Sequence, residues 1–405
     1  MMVRQTLELR EHGSKQDMTL TEHEFESLRA TGLVSVKPIS GDKYSIAPGQ
    51  KVGSIRVGEV QISVTPKVVE LSRIMFFVSY CINPSIWRDE TVQLAEEDGL
   101  YSAMGESLIR VVSKAIEGGL LQGYSNVADI MMTFRGRVDV KEHILRHRGR
   151  PLPLPMLFDD FSIDTADNQI MLLAILRLLA LPDGSESMRQ RLRRLRVAFD
   201  GVTSPAHNHG RPEWHRTRLN SRYHDALALS TTILDECSVD QRKGPVPVSG
   251  FMFDMWRIYE DFVVFALSNA MASHGGRADF QTTIWLDEDK RIQMRPDMLW
   301  RSATGDPLAV VDAKYKAEQP KGFPEHDVYQ MLAYCTALGL PEGHLVYAKG
   351  NEPSRTHVVV RADIEIHCHA LDLSLHPAKL LQRIGELAAF TLRDQTALPD
   401  RLTSQ

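Results

Sequence analysis

Apolar residues recur along the chain with two different periods, and the changes of period outline its organisation. Up to residue 68 the spacing is mostly that of strands: Val3–Leu9, Leu33–Pro38, Tyr44–Ala47, Lys51–Val57 and Val60–Thr65, with Gly41-Asp42 and Gly58-Glu59 as hairpin turns. Between them, Thr21-Glu22-His23-Glu24 has the Thr-x-x-Glu form of a capping box and predicts a short helix toward Leu28. From Val69 the spacing becomes helical, in Leu71–Cys81, Met104–Gly118, Asp167–Leu181, Arg222–Cys237 and Met252–Ala272. Pro151-Leu-Pro-Leu-Pro155 blocks helix and central strand alike, so an extended connector and a domain boundary are expected there. Ser238–Ser249, polar and holding Gly244, Pro245 and Pro247, reads as a second linker. The expected layout is an α/β protein in three parts. Residues 1–155 form a first domain (β-rich 1–68, helical 69–155), residues 156–249 a helical region, and residues 250–398 a C-terminal α/β domain with a loose tail beyond.

The strongest chemical signal lies in Ile292–Lys316. It reads as two strands, Ile292–Trp300 and Leu308–Lys316, joined by a polar turn around Ser302–Pro307. Strand alternation puts Val311, Ala313 and Tyr315 on one face and Asp312, Lys314 and Lys316 on the other. A hairpin would bring Asp297, after Pro296, beside Asp312, and two close carboxylates repel unless a cation is shared between them. Mg²⁺ takes oxygen ligands, one or two carboxylates plus substrate phosphate. Asp297, Asp312 and the Ala313 carbonyl offer such a set, with the Lys314 ammonium placed to orient water and offset phosphate charge. The competing reading of Asp-x-Lys is a solvated cross-strand pair, worth only ~0.2–1 kcal/mol.

Two further segments bear on that choice. His326–Leu338 is a predicted helix with Gln330 and Tyr334 on one face. Glu260 sits among Trp256, Tyr259, Phe262 and Val263, where an acid needs either a partner such as Arg257 or a task.

Glu260, Pro296-Asp297, Asp312-Ala313-Lys314 and Gln330-x-x-x-Tyr334 together resemble the PD-(D/E)xK nuclease core with the Q-x-x-x-Y helix of its RecB-like branch. The phrases D-A-K-Y-K and D-V-Y-Q-M-L-A-Y, with F-R-G-R-V-D-V at Phe134–Val140, F-D-D-F-S-I-D-T-A-D-N-Q at Phe158–Gln169 and R-L-N-S-R-Y-H-D-A-L-A-L at Arg218–Leu229, are similar to the McrC family. That family supplies the nuclease subunit of McrBC modification-dependent restriction systems. The resemblance implies a restriction-endonuclease-like C-terminal core, a central mixed sheet flanked by helices. It also implies Mg²⁺ or Mn²⁺ on Asp297 and Asp312, with Glu260 a further ligand or water holder, and orienting roles for Gln330 and Tyr334. The implied partners are a hexameric McrB-like AAA+ GTPase, engaged through the N-terminal part and stimulated by it, and double-stranded DNA carrying modified cytosine. Two alternatives stay open: an adaptor that activates the motor without cutting, and a motor-independent RecB-like nuclease.

Composition narrows the rest. With 405 residues, 43% hydrophobic and 24% charged, the chain has the make-up of a globular protein of two or three domains. No apolar run reaches the ~20 residues that span a bilayer, and Met1–Arg10 lacks a signal-peptide core, so no membrane partner and a cytoplasmic location are expected. Cys81, Cys237, Cys335 and Cys368 show no C-x-x-C spacing, which argues against a zinc ribbon, a disulfide scaffold or an iron–sulfur cluster. No G-x-x-x-x-G-K-[ST] is present, so no nucleotide site is expected and any GTP would act through the partner.

The net charge of −5 seems to disfavour DNA, yet basic residues are clustered. Arg135, Arg137, Lys141, Arg146, Arg148 and Arg150 form one stretch; Arg189, Arg191, Arg193, Arg194 and Arg196 form another on a predicted helix. Arg189, Arg193, Arg194 and Arg196, with Lys316, are the candidate DNA contacts, against a solvated face or an acidic partner as the alternative. Asp159, Asp160, Asp164 and Asp167 resemble a metal cluster but have the spacing of a loop with helix-capping aspartates. His207, His209, His215 and His224, and the His367-Cys368-His369 pair, lack the spacing of a zinc site.

Overall fold

The computed structural model describes residues 5–67, 71–83, 89–147, 152–181, 185–205, 212–236, 248–315, 324–348 and 354–393. The chain packs as two units, Met1–Leu100 with Val239–Gln405, and Tyr101–Ser238. Strands and helices are mixed in both, as an α/β chain requires. The divisions expected at 155 and 249 follow the sequence rather than this packing.

In the first unit the N-terminal strands form two small sheets. Gln5–Arg10, Val60–Thr65, Lys51–Val57 and Val248–Asp254 make a four-stranded sheet in that order; Gln16–Thr19, Lys43–Pro48 and Val34–Ser40 make a three-stranded one. Alternate residues Leu7, Leu9, Ile55, Val57, Val60, Ile62 and Val64 turn inward onto Leu28 and Ile46. The helix Glu22–Thr31 starts where the capping box predicts, with Thr21 Oγ1 accepting from Glu24 N–H and the Glu24 carboxylate accepting from Thr21 N–H. Val248–Asp254, expected as linker and helix start, is a strand antiparallel to Lys51–Val57. Gly53 and Gly250 explain how the two strands approach, because a Cβ on either would run into backbone of the other strand. The N-terminal sheet and the C-terminal segment are thus stitched together by backbone.

The C-terminal segment is built on a six-stranded mixed sheet. Its order is Arg277–Phe280, Met298–Arg301, Pro307–Lys314, Glu342–Ala348, Glu365–Leu371 and Arg355–Val358. Pro307–Lys314, Glu342–Ala348 and Glu365–Leu371 are parallel, and the outer pairings are antiparallel. Pro307–Lys314 is central and its residues 309–313 are all buried, which is why Ala-Val-Val-Asp-Ala reads as an apolar run interrupted by one acid. Helix Glu325–Leu338 covers one face through Met331, Tyr334 and Cys335 on Leu299, Val310, Leu345 and Cys368. Helix Met255–Met271 packs against Pro307–Lys314 and against helix Pro377–Thr391. Its buried residues Met255, Tyr259, Phe262, Val263, Ala266 and Leu267 have the three-to-four spacing of a core stripe. Phe262 also meets Phe76, Phe77 and Tyr80 of helix Leu71–Ile82, at ring centroid distances of 5.3, 4.4 and 5.7 Å.

The second unit is less purely helical than its spacing predicts. Helices Ala166–Ala180, Glu186–Val197 and His224–Glu236 pack together, with Thr165 and Ser185 as N-caps of the first two. Beside them lies an antiparallel sheet of Gly123–Met131, Leu154–Ser162 and Arg137–Val138. Pro155 belongs to its middle strand, opposite Ile130, so the proline-alternating segment ends in a sheet rather than a linker. Asp159 and Asp160 lie on the same strand, and Thr165, not an aspartate, caps the following helix. The sheet and helix Val140–His147 leave Tyr124, Ile130, Met132, Phe134, Ile144 and Phe161 exposed, each by more than half. Among the described residues no helix is long and apolar enough to cross a membrane.

Candidate active site

The two acids meet as the hairpin reading requires, with one change in the local structure. Ile292–Trp300 is not one strand: Gln293–Met294 pairs with Ile284–Trp285, and Met298–Arg301 pairs with Pro307–Lys314. Arg295, Pro296 and Asp297 form the break between them, since proline cannot donate to a ladder. Met298 is opposite Val311, which puts Asp297 next to the Asp312–Ala313 step.

Asp297 and Asp312 are 7% and 2% exposed. Asp297 Oδ2 accepts from the Ala313 N–H at 2.8 Å and Oδ1 from the Gln281 amide at 2.9 Å. Asp312 is ion-paired to the Lys314 ammonium. Burial, and for Asp297 next the charge of Asp312, raises the pKa of both acids above the usual carboxylate range. Burial works against the Lys314 ammonium, but Asp312 and Asp297 outweigh it and raise its pKa. Glu260 belongs to the same field: burial, then Asp297, pushes it up to about 8, with Lys314 pulling the other way. Arg257 faces Asp261 at 3.9 Å, so the helix-rim pairing possible for Glu260 is taken by its neighbour. On helix Glu325–Leu338, the Gln330 amide donates to the Tyr334 hydroxyl at 2.7 Å, and that hydroxyl donates to the Arg295 carbonyl at 3.3 Å.

Four charged side chains thus share one pocket of electrostatics, three acids against one ammonium. All oxygen donors are hard, and the surplus of buried negative charge is the condition a divalent cation relieves. Among the described residues no three His, Cys, Asp or Glu side chains form a ready-made cage. Mg²⁺ does not need one, because water and substrate phosphate complete its shell.

A family model for the McrBC 5-methylcytosine restriction system component matches residues 46–348. The chain belongs to that family. No curated protein sequence matches it. The fold of this McrBC-family chain is similar to a chain of the half-complex from a tetradecameric assembly of Thermococcus gammatolerans McrB AAA+ hexamers with bound McrC. The match has a TM-score of 0.59 and 16% identity, and covers 96% of this chain and 100% of that one. A cryo-EM structure of the Thermococcus gammatolerans McrBC complex matches with a TM-score of 0.41 and 18% identity over 66% of this chain and 88% of that one.

Other candidate residues of the McrBC-family chain are placed apart from these acids in sequence and packing unit. Helix Glu186–Val197 carries Arg189, Arg193, Arg194 and Arg196; Arg193 pairs with Glu186 at 2.8 Å, Arg191 pairs with Glu106, and Arg189 donates to the Leu181 carbonyl at 3.1 Å. Arg194 and Arg196 are exposed. Lys316, Arg148, Arg150, His207, His209 and Cys237 lie outside the described residues. His224 Nε2 lies 2.9 Å from Asn220 Oδ1 and 3.1 Å from the Thr217 carbonyl. Asp164 accepts from the Thr203 N–H at 2.9 Å and from Gln169 at 2.8 Å, a loop clasp.

Two residues near the acids are not foreseen from the sequence. Gln281 touches Asp297 directly but lies in no motif. Asp327, 1% exposed on the first turn of the Q-x-x-x-Y helix, accepts from the Tyr347 hydroxyl at 3.1 Å and adds its charge to the field at Asp312 and Lys314. Its place one helical turn before Gln330 is the signal that marks it.

Proposed function

We propose that this chain is the DNA-cleaving subunit of a McrBC-type restriction system, a metal-dependent endonuclease whose C-terminal segment is a PD-(D/E)xK core. The observation that carries this reading is the buried convergence of Asp297, Asp312 and Lys314, with Asp297 tied to the backbone of Ala313. Such a site has a use in cutting a phosphodiester, where negative charge must be held beside an attacking water.

Asp297 and Asp312 would hold Mg²⁺ or Mn²⁺, with the Ala313 carbonyl and Glu260 as further oxygen donors. When bound, the cation neutralises phosphate charge and makes water a better nucleophile. Lys314 keeps its proton, because its pKa is raised, and therefore acts as a fixed positive charge that orients water and offsets charge on the phosphate. Glu260, half neutral near pH 8, accepts or releases a proton at its carboxyl oxygens in the physiological range. Gln330 and Tyr334 hold the Arg295 backbone, and with it the approach to Asp297.

The partner in this reading is a McrB-like hexameric AAA+ GTPase, whose GTP hydrolysis the chain stimulates and which selects DNA carrying modified cytosine. The exposed apolar side chains around Phe134 and Ile144 support a protein partner for the N-terminal part, since such a patch is costly in water. Arg194 and Arg196 would meet DNA phosphates, with Arg189, Arg193 and Lys316 as the other candidates. The chain works in the cytoplasm in this account.

Purified chain, motor, GTP and Mg²⁺ incubated with a plasmid bearing modified cytosine test the reading. Linear products that require all components support it. Stimulated GTP hydrolysis without products makes the chain an adaptor, and cutting by the chain alone makes it motor-independent.

A further inference from the structure

The hydrogen bonds at Asp297 continue into a chain that ends on the Q-x-x-x-Y helix. Gln281 donates twice to one residue: its side-chain amide to Asp297 Oδ1 at 2.9 Å, and its backbone N–H to the Asp297 carbonyl at 3.1 Å. The Gln281 carbonyl accepts from Arg295 Nε at 2.6 Å, and the Arg295 carbonyl accepts from the Tyr334 hydroxyl, which Gln330 supports from behind. Gln281 is therefore held from both sides.

Its backbone adds a second observation. Gln281 has a φ of +51°, in the left-handed region that favours glycine or asparagine. A glutamine persists there when its surroundings over-determine it, and such residues gather at functional sites. Here the conformation lets the N–H and the side-chain amide of one residue reach the carbonyl and the carboxylate of another.

We propose that Gln281 is a positioning residue for divalent-cation binding, acting through Asp297. The inference rests on the reading of Asp297 and Asp312 as cation ligands. With the Ala313 N–H on Oδ2 and the Gln281 amide on Oδ1, the carboxylate cannot rotate, yet each oxygen keeps a lone pair for a cation. Loss of an outer partner of this kind weakens metal binding by roughly 10–100-fold. The amide side chain is required, since an acid at this position would repel Asp297.

The test is Mn²⁺ binding to the full-length chain, followed by electron paramagnetic resonance without DNA or motor. Wild type, Gln281→Ala, Gln281→Asn and, to assign the signal to this site, Asp312→Asn are compared. The expected result is a Mn²⁺ dissociation constant at least ~10-fold higher in both Gln281 variants, with site binding lost in Asp312→Asn. Asparagine suits a positive φ but is one methylene too short to reach Oδ1. Gln281→Asn should thus keep the wild-type thermal midpoint while losing affinity, a split that a merely structural role would not give. Wild-type affinity in Gln281→Asn overturns the inference alone. Failure of wild type to bind Mn²⁺ in a manner sensitive to Asp312 overturns the nuclease reading and this inference together.

Discussion

The backbone N–H of Ala313 donates to Asp297 Oδ2 at 2.8 Å, a side chain from the break after one strand gripping the main chain of the next. The bond fixes Asp297 beside Asp312 more firmly than a contact between two carboxylates could, since those repel. It also satisfies a donor that is buried next to Asp312.

Replacing Asp297 therefore has two separable effects. Asp297→Ala leaves the Ala313 N–H without a partner and should lower stability by about 1–3 kcal/mol. Asp297→Asn can still accept that hydrogen bond through its amide oxygen, so its denaturation midpoint should lie near wild type while cutting is lost. Equal destabilisation by both variants in urea would count against the grip.

How much of this was legible beforehand differs by residue. Asp312 and Lys314 were readable because strand alternation alone puts them on one face, and Gln330 and Tyr334 because four residues make a helical turn. The strands Lys51–Val57 and Val60–Thr65 were readable down to their ends, since hairpin turns at glycine bound them. The strand Val248–Asp254 was not. Its pairing partner lies about two hundred residues away, and its glycine matters only because another strand approaches it. Gln281 was illegible for a related reason: its role depends on a left-handed backbone that only glycine or asparagine would have announced. The hairpin strand drawn through Pro296 failed because proline removes a ladder donor there.

Glu260 gives a pH prediction for the metal-free chain. Its ordinary value is 4.5 and its folded value about 8, so between those values the folded state keeps a proton that the unfolded state releases. Stability from this group is full below about pH 4.5 and declines as pH rises toward 8. Glu260→Gln copies the protonated acid. Its thermal midpoint should match wild type near pH 4.5 and exceed it at pH 8.5, with Mg²⁺ narrowing the gap. A pH-independent difference would remove Glu260 from the shared field.

The histidines on the same sheet predict the opposite slope. His344 is fully buried, with its Nδ1 3.2 Å from His369 Nε2, and His367 Nε2 lies 3.2 Å from Glu342. Burial, then the neighbouring histidines and Arg393, lowers the pKa of His344 and takes His369 to about 3. The unfolded chain gains protons below pH 6.5 that the folded chain refuses, so stability falls from there toward about pH 3. His369→Gln should flatten that limb by about 1.4 kcal/mol per pH unit. An unchanged acid limb in urea titrations would contradict it.

The apolar patch of the second unit predicts a separation of stability from assembly. Phe134 and Ile144 are 77% and 63% exposed, so Phe134→Ser and Ile144→Ser should change stability by no more than about 0.5 kcal/mol. Both should weaken association with the motor about 10-fold or more, as loss of an interface anchor does. Light scattering of the mixed assembly reads this, and undiminished assembly would move the contact elsewhere.

The most direct measurement is cleavage of a duplex with modified cytosines by the reconstituted complex carrying Asp312→Asn or Lys314→Met. The account predicts at least ~10²-fold slower cutting in either variant with GTP hydrolysis by the motor still stimulated. Cutting at the wild-type rate by both variants would contradict it.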